Sequence, residues 1–125
     1  MFRPLSNAGW TRQLSGSGTK SMSVSDLDTS YLFISGGTWT LPDASTEGAL
    51  GKNVFFHNSG STAVTVNVIS GHRGIINGER VVSLSYSIPQ YGSLWCKCVR
   101  NSTTFGWEFH PTTPEHILPI STRKS

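Results

Sequence analysis

The residues of this 125-residue chain able to do chemistry are few: four histidines, two cysteines and seven carboxylates. Hydrolysis needs a nucleophile beside a base, or two carboxylates held at a fixed gap. Asp26 and Asp28 are the only close acid pair, and their loop-like setting suits Asx turns. Ser15-Gly16-Ser17-Gly18 has no strand before it and does not make a nucleophile elbow. Gly71-His72-Arg73-Gly74 lacks the Lys-Ser/Thr and following helix of a phosphate loop. His57, His72, His110 and His116 form no helical ligand pair, and Cys96-Lys97-Cys98 has no second ligand pair for zinc. We therefore expect no enzyme, no cofactor and no metal.

Cys96 and Cys98 sit two apart in an apparent strand. Both point to one face, too far along it for an easy mutual bridge. They read as reduced thiols packed as small hydrophobes, or alternatively as inter-subunit thiols in an assembly. Four tryptophans remain. Trp39, Trp95 and Trp107 fall in predicted strands, where packing is the default role of a large ring, with sugar stacking the alternative. Trp10 lies in a segment with no core of its own and suggests anchoring on a partner.

The elements that must position these residues are β-strands. Only 14% of residues are charged, too few to coat helical bundle faces. Nineteen serines and thirteen threonines make about a quarter of the chain. Tyr31-Leu32-Phe33-Ile34-Ser35 is an apolar run closed by Gly36-Gly37, and Thr38-Trp39-Thr40-Leu41 is stopped by Pro42. Residues 43–50 have room for one helical turn capped by Asp43. Asn53-Val54-Phe55-Phe56-His57-Asn58 and the strictly alternating Ala63-Val64-Thr65-Val66-Asn67-Val68 follow. Asn77-Gly78 between apolar pairs signals a hairpin. Residues 91–99 place Leu94, Cys96 and Cys98 on one face, with Ser93, Trp95, Lys97 and Val99 on the other. Phe105-Gly106-Trp107-Glu108-Phe109 closes the set.

Seven to nine short strands predict an all-β fold, a small antiparallel β-sandwich or barrel of jelly-roll type. No repeat of fixed period is visible. The expected organisation is an N-terminal arm with a first short strand over residues 1–30, a β-sandwich core over 31–110, and a Pro-rich extension over 111–125. Phe2, Trp10 and Leu14 in one arm, and Ile117, Leu118 and Ile120 in the other, are the expected partner contacts. The C-terminal extension lies either on a neighbour or on its own domain. The net charge of +3 comes from scattered cations, which argues against nucleic acid as the partner. No apolar run approaches the roughly 20 residues of a membrane helix, and the start lacks the apolar stretch of a secretory signal.

One pattern goes further. Thr38-Trp39-Thr40-Leu41-Pro42-Asp43-Ala44 leads to Gly51-Lys52-Asn53-Val54-Phe55-Phe56-His57-Asn58-Ser59-Gly60-Ser61, then Val64-Thr65-Val66, Ile76-Asn77-Gly78 and a Trp-bearing strand. Over residues 31–110 this resembles small β-structured virion modules of tailed bacteriophages: capsid decoration (cement) proteins, head fibres and tail-fibre segments. The resemblance implies a trimer and transfers no individual site residue. The expected function is that of a non-enzymatic decoration protein, made in the host cytoplasm and placed on the capsid exterior. Its partners would be the major capsid protein and two copies of itself. The alternatives are a tail-fibre module binding a receptor or glycan, and a tail or neck structural protein.

Overall fold

Four stretches of this chain bend at a glycine and stack on one another, and the core fills the inside of the bend. The computed structural model describes residues 13–101 and 103–112. Its strands are β1 (Gln13–Ser21), β2 (Thr29–Thr40), β3 (Asn53–Asn58), β4 (Val64–Asn67), β5 (Arg73–Ile76), β6 (Glu79–Val82), β7 (Ser85–Ile88), β8 (Ser93–Asn101) and β9 (Thr104–Thr112). One 3₁₀ turn, Val24–Asp26, is the only helical element among the described residues.

β2 organises the rest. Its first half pairs with β3 through Thr29–Phe33, and its second half pairs with β4 through Gly37–Thr40. β1 runs parallel to both halves, its register shifting between Gly16 and Gly18. β8 is antiparallel to β3, and β7 is antiparallel to β4. The layers are thus β1, β2, the pair β3 and β4, and the pair β7 and β8. The first half of β2 with β3 and β8 makes the first wall, which continues through β9, β5 and β6. The second half of β2 with β4 and β7 makes the second wall. The result is two mixed sheets joined through β2.

The all-β expectation holds, and the chain paths correct it in two respects. The strand path from β6 to β7 does not close on itself, so the fold is not a barrel. It is also not purely antiparallel: β1–β2, β2–β3, β2–β4 and β5–β9 are parallel. The segment between β2 and β3 carries the chain back to where β2 began, which a two-residue hairpin cannot do. That segment makes consecutive turns instead of the expected helical turn: Thr46 N–H donates to Asp43 O, and Ala49 N–H to Thr46 O. The Asn77-Gly78 hairpin is present, with φ of 53° and 80°.

Alternation explains the core. Tyr31, Phe33, Trp39 and Leu41 share one strand face, so a bend between Phe33 and Trp39 turns that face inward on itself. Val54 and Phe56 face Val64 and Val66 in the same way, and Leu94, Cys96 and Cys98 continue from Ile88. Trp39, from the second wall, stands edge-on to Tyr31 at 4.7 Å, Phe33 at 5.0 Å and Phe56 at 6.2 Å between ring centroids. Edge-to-face pairs of this kind contribute about 0.5–1.5 kcal/mol each beyond area burial.

The bends are built for contact. A Cβ on Gly36 would lie 2.5 Å from Thr62 Cγ2 and 2.8 Å from Ala63 O, so only glycine lets adjacent layers close there. Asn58 is wholly buried at the next corner. Its Nδ2 donates to Thr62 O at 2.9 Å and to Ile88 O at 3.0 Å, while its Oδ1 accepts from Gly60 N–H at 3.0 Å. One side chain thereby ties its own bend to the β7 layer.

The expected arms are partly absorbed into this block. Gln13–Ser21 is a strand paired along β2, and Pro111 and Thr112 end β9. Residues 1–12 and 113–125 lie outside the described structure, and with them Phe2, Trp10, Ile117, Leu118 and Ile120. Leu14 belongs to β1, opposite Tyr31.

Replacing Asn58 by Ala removes the partner of Ile88 O in the core and those of Thr62 O and Gly60 N–H at its part-buried edge. Losing such partners costs about 1–3 kcal/mol per group, less what relaxation recovers. Asn58→Ala should therefore lose about 3 kcal/mol in urea unfolding, whereas Asn77→Gly in the exposed hairpin should stay within about 1 kcal/mol of the parent.

Candidate functional site

The outer face of the first wall carries every second residue of β3, β8 and β9. Asn53, Phe55 and His57 point out from β3, Ser93, Trp95 and Lys97 from β8, and Glu108 and His110 from β9. Strand register aligns them in rows. Phe55 lies opposite Trp95, and Trp95 lies opposite His110. Three rings on three adjacent strands therefore form one line across the sheet.

Polar groups hold this line. Trp95 Nε1–H donates to Asn53 Oδ1 at 2.8 Å, and the Trp95 and His110 rings meet at 4.9 Å. His110 Nε2 lies 3.0 Å from Glu108 Oε1. His57 Nδ1 and Ser93 Oγ are 2.8 Å apart in the row on the other side. Lys97 stands between Asn53 and Glu108 in register. Trp95 is 38% exposed, so a fixed indole is presented to solvent with donors and acceptors on both flanks. Such a surface suits stacking on an apolar ring face or burial against another protein.

The tryptophans therefore divide. Trp39 and Trp107 are 5% and 1% exposed, and Trp107 Nε1–H donates to Pro42 O at 2.8 Å inside the core. Packing is their role, as the strand assignment implied. Trp95 differs because it occupies the opposite parity in β8 from Leu94, Cys96 and Cys98. That parity was readable from the sequence, but its consequence was not: Phe55 and His110 become part of the site only through strand register.

Both cysteines lie within the chain's own core. Both are buried and free, Cys96 between Val54 and Phe109, and Cys98 with its Sγ 3.3 Å from Ala44 O. Burial pushes the Cys96 thiol well up, and burial followed by the nearby Asp43 charge pushes Cys98 up to about 11. Inward parity put both in the core, where they pack as small hydrophobes.

Asp26 and Asp28 also act differently from a pair of Asx turns. Asp26 closes a capping box with Ser23, whose backbone N–H donates to Asp26 Oδ2 at 2.8 Å. Asp28, at φ 57°, accepts from Asn53 N–H at 3.0 Å and pairs with Lys52 at 3.2 Å. It is a long-range tie that sets where β3 begins beside β2. Asp43 is held below the usual carboxylate range by the Ser45 backbone N–H and then the Ser45 hydroxyl, with His72 adding to it. Among the described residues, no three His, Cys, Asp or Glu side chains gather in a metal-holding arrangement.

Two measurements follow from this division between outer and inner residues. Trp95→Ala should cost under about 1 kcal/mol of stability, because its ring is partly solvated, while Trp107→Ala should cost about 3–5 kcal/mol in the same urea titration. The cysteines set an alkaline limit. Between the ordinary thiol value of 9.0 and about 11, the unfolded chain binds fewer protons than the native one, so stability falls as pH rises. Cys98→Ala should flatten that decline when unfolding midpoints are compared at pH 8 and pH 10.5.

Comparison of the chain with known proteins finds no matching family model, no matching curated protein and no matching solved structure.

Proposed function

We propose that this chain is a non-enzymatic structural protein of a tailed-bacteriophage virion that works by docking, in the first place as a capsid decoration protein. On this reading it sits as a homotrimer on the capsid exterior and stabilises the shell of major capsid protein. The resemblance of residues 31–110 to virion modules supports the phage assignment. The observation that carries the docking role is the outward face on which Phe55, Trp95 and His110 align. Apolar residues continue it at the adjoining bend, where Ile34 and Tyr91 are 65% and 57% exposed. A rigid sheet presenting aligned rings loses little side-chain entropy when it docks.

The second reading is a fibre module that binds a glycan. The clamp of Trp95 by Asn53 favours it, since an indole fixed in place and flanked by Ser93, His57 and Glu108 offers a stacking face beside hydroxyl-bonding groups.

Adding saturating protein to expanded capsid shells should raise their melting temperature, and Trp95→Ala should weaken shell binding at least tenfold. Shells whose melting is unchanged would remove the decoration reading. Glycan-array binding abolished by Trp95→Ala would put the fibre reading in its place.

A further inference from the structure

A second surface lies where β5, β6 and β9 meet the end of β8, away from the Trp95 row. Four of the six described cations have no ion pair; Lys97 stands beside the Trp95 row, and the other three lie here. Lys20 lies 3.8 Å from Asp26, and Lys52 lies 3.2 Å from Asp28. Arg73, Arg80 and Arg100 have no ion pair among the described residues. Arg73 and Arg80 line a small recess with Phe105, and the Arg100 guanidinium stands 5.7 Å above the centre of that ring. Register sets Arg73 and Arg80 on one face, since Arg73 opposes Val82 and Ile75 opposes Arg80, while Arg100 opposes Phe105 on the other parity at the same end of the sheet.

This recess adjoins a larger cleft of about 370 Å³, and Arg73, Thr104 and Phe105 line both. The far wall of the cleft carries Asp43, Ser45 and His72. Asp43 Oδ1 accepts from Ser45 N–H and Ser45 Oγ–H and faces His72 Nδ1 at 3.9 Å, while Oδ2 has no protein partner among the described residues. The cleft thus holds a carboxylate acceptor on one side and Phe105 with Arg73 on the other, and Arg80 stands in the adjoining recess.

Each class of ligand meets a different balance of these groups. A bare anion gains from the arginines but meets the Asp43 charge. A neutral sugar uses Asp43 and the ring but leaves the Arg73 and Arg80 guanidinium groups unused. A sugar carrying an anionic substituent uses all of them: hydroxyls donate to Asp43, the apolar ring face lies on Phe105, and the carboxylate or phosphate takes the arginines, whose planar forks match those groups. The volume suits one to two sugar rings. We propose that this cleft and the recess beside it together form a binding site for an acidic saccharide, with Arg73 and Arg80 holding its anionic group and Asp43 its hydroxyls. The site uses none of Phe55, Trp95 and His110 and stands whether or not that row docks on a shell.

Titration calorimetry of the full chain with four probes tests this: galacturonic acid trimer, glucose 6-phosphate, the neutral galactose trimer and inorganic phosphate. At least one acidic sugar should bind ten times or more tighter than both the neutral trimer and inorganic phosphate, and the binding should weaken with added salt. The first two probes separate a carboxylate from a phosphate as the preferred group. Arg73→Gln and Arg80→Gln, both exposed and so expected to melt like the parent, should each reduce that affinity at least tenfold. Trp95→Ala should leave it unchanged. The proposal is overturned if neither acidic sugar binds, if inorganic phosphate binds as tightly as the sugars, or if both arginine variants melt normally and retain full affinity.

Discussion

Trp39 standing edge-on among Tyr31, Phe33 and Phe56 is the contact on which the architecture depends. These rings come from two walls that the same strand joins, so their packing sets how sharply β2 bends. Once β2 is bent, its neighbours have no freedom to run straight. β3 and β4 follow its two halves, and β7 and β8 follow them. Glycines at each turn make this mechanically possible, and the aromatic cluster makes it favourable. Together they convert a run of short strands into a stack with one interior.

That interior and the outer face are chemically distinct because one parity rule governs both. Residues of one parity along β8 are Leu94, Cys96 and Cys98, all buried, the two thiols pushed up by that burial. Residues of the other are Ser93, Trp95 and Lys97, partly exposed and hydrogen-bonded or charged. A register slip of a single residue would exchange the two sets, exposing thiols and burying a lysine. The Asp28 tie to Asn53 and the Asn58 ties across the corner oppose such a slip at both ends of β3.

Much of this was legible before any coordinates. Alternation at Val64-Thr65-Val66 and the Asn77-Gly78 turn identified strands and a hairpin correctly, because both are local signals. The path between strands was not legible, since alternation names the buried face and not the neighbour or its direction. Nor was the stacking. The corners at Gly16-Ser17-Gly18, Ser35-Gly36-Gly37, Ser59-Gly60-Ser61 and Tyr91-Gly92-Ser93 are unevenly spaced in the chain. The linking segments differ in length, and the last layer runs backwards, so no fixed period survives. The ring line across Phe55, Trp95 and His110 needed register, which comes only from long-range pairing.

Because the bends carry the tightest contacts, this chain should accept changes in length very unevenly over evolutionary time. An extra residue at Gly36 or beside Asn58 shifts every later side chain of its layer to the wrong side of the sheet. Within the crossings between strands, the exposed residues 46–48 and 70–71 enter neither a corner nor the core, so residues gained or lost there leave parity untouched. Descendants of this sequence would therefore diverge in those crossings first, each trying new surface loops on an interior that stays the same.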